Sequence, residues 1–242
     1  MSGAAPGTGD WLMWRGGRNG RFRFEPDEFI ESLRLRLLLA PFSNIGPFSC
    51  MLCHDVLLRD VPLHLLDCNK LNGKRIQRHN RVRDALAALV RKIHPEGKVT
   101  VEAPIRGNSG GHVRADVLLD IGGVQVAWDV AIVNPSAPTY VRLQSHIAPD
   151  IAAKDREKIK RDQFSRFVQD PAGITLIPFV IEATGRLGPA ASTYMRTIGE
   201  KFGFARREFV GRMSAAIARF NARMIMLQRN ELLGYQNGFR GP

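Results

Sequence analysis

Cysteine is scarce in this sequence: three in 242 residues, all between positions 50 and 68. Three thiols cannot pair evenly, which argues against a disulfide framework. Acidic residues are also few, 23 against 35 Lys and Arg, leaving a net charge of +12 and a pI near 10.3. Such a field attracts polyanions, so nucleic acid is the leading partner and an acidic membrane surface the weaker one. Long apolar runs are missing too. The nearest, Leu37 to Phe42 and Leu176 to Ile181, are far shorter than a membrane span. Met1 to Gly9 is small and polar, unlike a cationic–apolar signal sequence. No repeat at a solenoid period is visible. These absences lead us to expect a soluble, intracellular protein.

The cysteines that are present form a pattern with one histidine, Cys50-x2-Cys53-x10-His64-x3-Cys68. Two short turns each supply a pair of soft or borderline donors, enough to close a tetrahedron around one zinc ion. Four protein ligands leave no open position, so the expected site is structural. His54 adjoins Cys53 and is a conceivable substitute for His64, which has the better reach. Unrelated buried thiols are the alternative.

Around this cluster the chain divides into four expected parts. Residues 1–24 form a flexible basic arm in which Arg15, Arg18, Arg21 and Arg23 alternate with Trp11, Trp14 and Phe22. Residues 25–73 hold a helix opened by Pro26 and Asp27, with Phe29, Ile30, Leu33 and Leu37 on one face, and then the zinc segment. Residues 74–186 begin with a basic stretch, including Arg75, Arg78, His79 and Arg81, that runs into an amphipathic helix with Val82, Leu86, Leu89, Val90 and Ile93 in one stripe. Three strands follow, at 98–103, 113–121 and 124–133, the last two joined by Gly122-Gly123, a hairpin signal. A charged helix over 149–168 leads to an apolar strand at 174–183 of the kind buried mid-sheet. Residues 187–242 close the chain with two helices. The second carries Arg206, Arg207, Arg212, Arg219, Arg223 and Arg229 on its outer side, read as a solvated face.

Carboxylates mark the strands: Glu102 on the first, Asp116 on the second, Asp129 on the third. A two-residue turn at Gly122-Gly123 sets Asp116 opposite Asp129. Close carboxylates repel unless a cation neutralises them, and Mg²⁺ or Mn²⁺ is the natural one for hard oxygen donors. Asp120, just before the turn, reads as a turn residue. Lys154 and Lys158 share a face of the charged helix. Glu182 could reach the site or pair with an arginine.

The order helix–strand–strand–strand–helix–strand with Asp116 and Asp129 resembles the PD-(D/E)XK restriction-like nuclease fold, an α/β (α+β) class. More narrowly, the chain resembles the restriction-like endonuclease region of site-specific non-LTR retrotransposons and related reverse-transcriptase-derived proteins. The series that carries the resemblance is the cysteine–histidine cluster, Arg78-His79-Asn80, Arg114-Ala115-Asp116, Trp128-Asp129-Val130, Arg156-Glu157-Lys158 and the segment 178–185, and it covers residues 29–230. It implies a zinc knuckle that helps bind DNA, and Asp116 and Asp129 as ligands of a divalent metal used in strand nicking. Glu102 would be a further contributor and Arg75, Arg78, His79 and Arg81 would contact nucleic acid. Reaching chromosomal DNA implies a nuclear location. Two departures stand out: Ala115 replaces the usual proline, and Ala131 stands where a lysine is expected. The following helix can supply that lysine in this family, and Lys158 is the candidate. Without it, a non-catalytic nucleic-acid-binding protein is the alternative, and charge alone would also suit a basic component of a larger ribonucleoprotein; with no polymerase segment ahead of these motifs, a solitary or decayed descendant of an element is the expected origin.

Overall fold

The computed structural model describes residues 9–13, 24–37, 39, 49–50, 52–58, 61, 63–106, 112–168, 173–202 and 206–238. It is a mixed α+β protein with a four-stranded mixed sheet and six α-helices among these residues. The strands are β1 (Lys98–Arg106), β2 (His112–Ile121), β3 (Val124–Val133) and β4 (Ile174–Glu182), in spatial order β1-β2-β3-β4. The first three run antiparallel, and β4 joins β3 in parallel after a helical crossover.

The hairpin forms as its sequence dictates. Gly122 and Gly123 have φ of 59° and 89°, the left-handed geometry of a two-residue turn that a Cβ would resist. Asp120 caps that turn: its carboxylate accepts from the Gly123 N–H at 3.0 Å and the Gln125 amide at 3.0 Å. β4 occupies an edge rather than the middle of the sheet. Its apolar character comes instead from helices on both faces, and the chain turns at Gly185 so that Leu187 bridges back to Ile181. That return shields the end of the edge strand.

Helix α2 (Asn72–Ile93) lays Val82, Leu86, Leu89, Val90 and Ile93 onto one sheet face, with α5 (Pro189–Phe202) and α6 (Arg206–Gly238) in the same core. Trp128 and Phe179 are fully buried in its centre. On the opposite face lies α4 (Ile151–Phe167), where Ala152 and Ala153 pack on Ala131, Val133 and Val180. A short helix, α3 (Pro138–Arg142), lies between β3 and α4.

Helix α1 (Pro26–Arg36) is turned the other way from its apolar periodicity. Its buried residues are Glu28, Glu31 and Ser32, while Phe29 and Ile30 are exposed. The reason lies on α6: Arg219 Nε is 2.9 Å and Arg223 Nε 2.5 Å from the Glu28 carboxylate, and Arg229 Nη1 is 2.5 Å from Glu31. These three arginines, expected to face solvent, pair with α1 instead, and of them Arg223 stays half-exposed. Trp11 of the expected arm is buried against Ala215 and Ala218 of α6, beside Phe24 and Phe29. Trp14, Arg15, Arg18, Arg21, Phe22 and Arg23 lie outside the described residues. Among the described residues no helix is long and apolar enough to cross a membrane.

Candidate metal and carboxylate sites

Cys50, Cys53, His64 and Cys68 converge, their ligand atoms all within 4.8 Å of one another. Ser49 pairs with Leu57 across a tight turn that holds Cys50 and Cys53, and a short 3-10 turn (His64–Leu66) presents the imidazole just before Cys68. Cys50 Sγ and Cys68 Sγ are 3.7 Å apart, and Cys53 Sγ and His64 Nε2 3.2 Å. A tetrahedron with metal–sulfur bonds of about 2.3 Å has edges of about 3.8 Å, so the donor set fits a metal such as zinc. His54 stands outside the cluster, exposed, with its backbone at φ 61°.

Burial and crowding of the thiols oppose their ionisation, a cost that a bound cation would relieve. Burial, with Cys50 and Cys53 nearby, pushes the Cys68 thiol up to about 11. Cys50 is also desolvated, yet its thiol lies below the usual range because the N–H groups of Cys53 and Leu52 and the Gln228 amide donate to its sulfur. Burial lowers the His64 pKa and favours the neutral imidazole that a metal requires. Gln228, from α6, reaches Cys50 Sγ at 3.3 Å and orients the ligand from outside the tetrahedron.

The carboxylates meet where β2 leaves β3. The β2–β3 ladder runs from Ile121↔Val124 to Val117↔Trp128 and stops one pair before Asp116 and Asp129. On β1 the pairing also skips Glu102, whose φ of 50° is costly for a residue with a Cβ. Beyond this break the strands show other faces: Val117 and Leu119 pack toward α2, whereas Val113 and Ala115 pack with Val168 on the opposite side. Glu102 is thereby turned to Arg83 and to Arg114, 3.3 Å away, and does not join the two aspartates.

The divergence leaves the backbone of Val130 without a strand partner on that side, and buried peptide groups must be satisfied. The Val130 N–H donates to Asp116 Oδ2 at 2.7 Å, and the Val130 carbonyl lies 3.2 Å from His79 Nε2. The same His79 nitrogen is 3.3 Å from Asp116 Oδ2. The site is thus built into the seam of the fold. Asp116 and Asp129 lie within hydrogen-bond reach of each other, and Lys160 forms an ion pair with Asp129.

Their ionisation separates accordingly. Burial and the Asp116 charge push the Asp129 pKa up, against the pull of Lys160. Asp116 is desolvated as well, but the His79 hydrogen bond and charge, the Val130 N–H and Lys160 hold its carboxyl below the ordinary range. Burial opposes protonation of His79, while Asp116 and the Val130 carbonyl raise its pKa.

The lysine at this site is Lys160, not Lys158. On α4 the inward line runs through Ala153, Glu157 and Lys160, spaced i, i+4, i+7, while Lys158 sits a further 100° around the helix and is exposed. Glu157 has its own task, accepting from the Ala190 N–H at 2.9 Å at the start of α5. Glu182 is buried at the end of β4, where Thr184 Oγ1 is 3.4 Å from its carboxylate.

The four expected nucleic-acid contacts have separate fates. Arg81 is exposed. Arg75 lies at the rim of an open groove of about 580 Å³ that His79, Tyr140, Arg156 and Lys160 also line. His79 belongs to the carboxylate site. Arg78 is buried and committed internally: Nη1 donates to Asn221 Oδ1 at 2.5 Å and Nη2 to the Leu66 carbonyl at 3.2 Å. Burial lowers its pKa to about 10, which still leaves it charged near neutrality. Lys160 and Gln228 were not singled out by the sequence, and Arg156 entered only as a member of the Arg156-Glu157-Lys158 series. The Ala153–Glu157 stripe is the signal that points to Lys160.

No protein-family model matches this chain, and no curated protein does.

Proposed function

We propose that this protein is a divalent-metal-dependent endonuclease of the restriction-like kind, derived from a non-LTR retroelement, that nicks DNA phosphodiester bonds. The observation that carries the reading is the pairing of Asp116 and Asp129 at the seam of β2 and β3, with Lys160 reaching Asp129 from α4. Two close carboxylates are a hard-oxygen donor set suited to Mg²⁺ or Mn²⁺. A bound metal of this kind supplies positive charge that acidifies water and stabilises the charge developing on a phosphodiester.

The chain's own residues define the rest. His79 and the Val130 N–H fix Asp116, so its carboxylate cannot rotate freely. In this reading Lys160, the ion-pair partner of Asp129, holds a nucleophilic water or neutralises a non-bridging phosphate oxygen, the role that Ala131 cannot fill. The cysteine–histidine cluster, whose Cys68 directly precedes α2's 3-10 lead-in (Asn69–Leu71), fixes the helix that bears His79. In this reading zinc is structural and the nucleus is the place of action.

Supercoiled DNA incubated with Mg²⁺ or Mn²⁺ tests the proposal. Wild type is expected to convert it to the open-circular form and Asp129→Ala to leave it supercoiled. Equal nicking by both overturns the site.

A second reading, a nucleic-acid-binding protein without catalysis, has one observation in its favour. Asp129 is already compensated by Lys160 and Asp116 by His79, so the carboxylates are tolerable without a metal. Absence of nicking together with retained DNA binding would select it.

A further inference from the structure

The groove beside the carboxylates is lined by two helices that repeat one arrangement. On α2, His79 touches Asp116 and Arg75 stands one turn before it. On α4, Lys160 touches Asp129 and Arg156 stands one turn before it. In each case the inner residue is committed to a carboxylate and the outer one is an arginine at the entrance of the same groove. The i, i+4 spacing places each pair on one helix face, so the cations line the groove in two short rows.

The two outer arginines are not equivalent. Arg75 is held by the Asp67 carbonyl and Asn69 Oδ1, each at 3.2 Å. Among the described residues Arg156 is in no ion pair, and its charge acts on Tyr140, which lines the same groove. A half-buried guanidinium without a carboxylate partner, in an open groove that Asp67 and also His79 and Lys160, the partners of the two aspartates, line, contrasts with arginines elsewhere that meet a carboxylate. Arg83, Arg186, Arg219 and Arg223 all do. A planar guanidinium offers a bidentate fork to phosphate oxygens that an ammonium does not.

We propose that Arg156, with Arg75 opposite, is a phosphate clamp that seats the DNA backbone next to the carboxylate pair, one contact away from the bond to be cut. The proposal rests on the nuclease reading for the location of the scissile phosphate, but the clamp itself is a binding site. It takes a phosphodiester backbone irrespective of base sequence. Lys158, exposed on the same helix two residues away, carries the same charge and faces away from the groove, which makes it the internal control.

The test is binding of a fluorescein-labelled DNA duplex in Ca²⁺, read by anisotropy over a range of salt concentrations, alongside nicking in Mg²⁺ or Mn²⁺. One lost charged contact is expected to weaken binding about tenfold for Arg156→Gln. It should also reduce the slope of log affinity against log salt by about one. Arg156→Lys should regain the slope and part of the affinity, and Lys158→Gln should change neither. In nicking, Arg156→Gln should raise KM and leave kcat near that of wild type. Unchanged affinity and slope in Arg156→Gln, or an equal loss in Lys158→Gln, overturns the clamp. The two proposals fail separately. A protein that never nicks but loses DNA affinity in Arg156→Gln keeps the clamp and loses the nuclease. One that nicks normally as Arg156→Gln keeps the nuclease and loses the clamp.

Discussion

Lys160 illustrates how much chemistry depends on a helical angle. It and Lys158 differ by two residues, yet one forms an ion pair with Asp129 and the other faces water. Replacing Lys160 with Met keeps the aliphatic stem and removes the charge beside the carboxylates. Loss of a group that stabilises developing charge typically costs about 10²–10³ in rate. Nicking by Lys160→Met should therefore fall by that order, while Lys158→Met stays close to wild type, in matched time courses on supercoiled DNA. The aspartate pair was legible in the sequence because a Gly-Gly hairpin fixes register, and register alone places residues 116 and 129 opposite each other. The lysine was less legible. Two lysines spaced i, i+4 suggested a shared face, but the face that turns inward is set by Ala153 and by the tie between Glu157 and the Ala190 N–H, a contact between distant segments. Glu102 escaped for a related reason. A left-handed φ in mid-strand reverses where a side chain points, and no local signal announces it.

At the scale of elements, α1 and α6 join through buried carboxylates and arginines beside a small apolar contact that includes Leu33 with Ala215 and Ala218. Each sequence segment gave half of it. Phe29, Ile30, Leu33 and Leu37 suggested a buried apolar face on α1, and the arginines of α6 suggested solvent. Complementarity between Glu28 and Arg219 with Arg223, and between Glu31 and Arg229, appears only when the helices are placed together. Glu28 is desolvated, but the Glu25 N–H, Arg223 and Arg219 hold its carboxyl below the ordinary value of 4.5. A depressed folded-state pKa means that this contribution is present above the unfolded value and is lost as pH falls through the folded one. The α1–α6 contact should thus weaken at pH below about 4.5, the ordinary carboxylate range for Glu. Hydrogen exchange of α1 amides, compared with those of α2, reads this directly: α1 should lose protection first. Glu28→Gln should cost roughly 2–3 kcal/mol in chemical denaturation, less than a fully buried pair because Arg223 remains half-exposed. An unchanged midpoint would show that the pair contributes no net stability. The core elements were better anticipated, since α2 and β3 carry clear periods of 3.6 and 2.

Over the whole molecule, the cysteine–histidine cluster is tied to the carboxylate site through packed and hydrogen-bonded contacts. Gln228 of α6 donates to Cys50, and Met224 and Ile225 pack beside Cys50 and Cys68. Arg78 links the Leu66 carbonyl, within the cluster's own segment, to Asn221 of α6, which in turn donates to the Ala183 carbonyl at 2.7 Å. Asn134, at the end of β3, donates to the Leu63 carbonyl at 3.1 Å. The residue after Arg78 is His79, the partner of Asp116. Metal at the cluster therefore constrains the start of α2 and, through it, the orientation of His79. Elemental analysis should find about one zinc per chain, as four protein ligands require. Stripping it with a zinc-selective chelator, while Mg²⁺ is kept in excess, should lower Tm and abolish nicking together. Restored zinc should recover both. Cys53→Ser separates a structural role from a direct one. If the cluster acts only by holding α2, weakening one ligand should reduce exchange protection in the first turns of α2 in proportion to lost nicking. If nicking persists in zinc-free protein whose α2 amides have lost protection, the cluster and the carboxylates function independently, and the path through Arg78 carries no coupling.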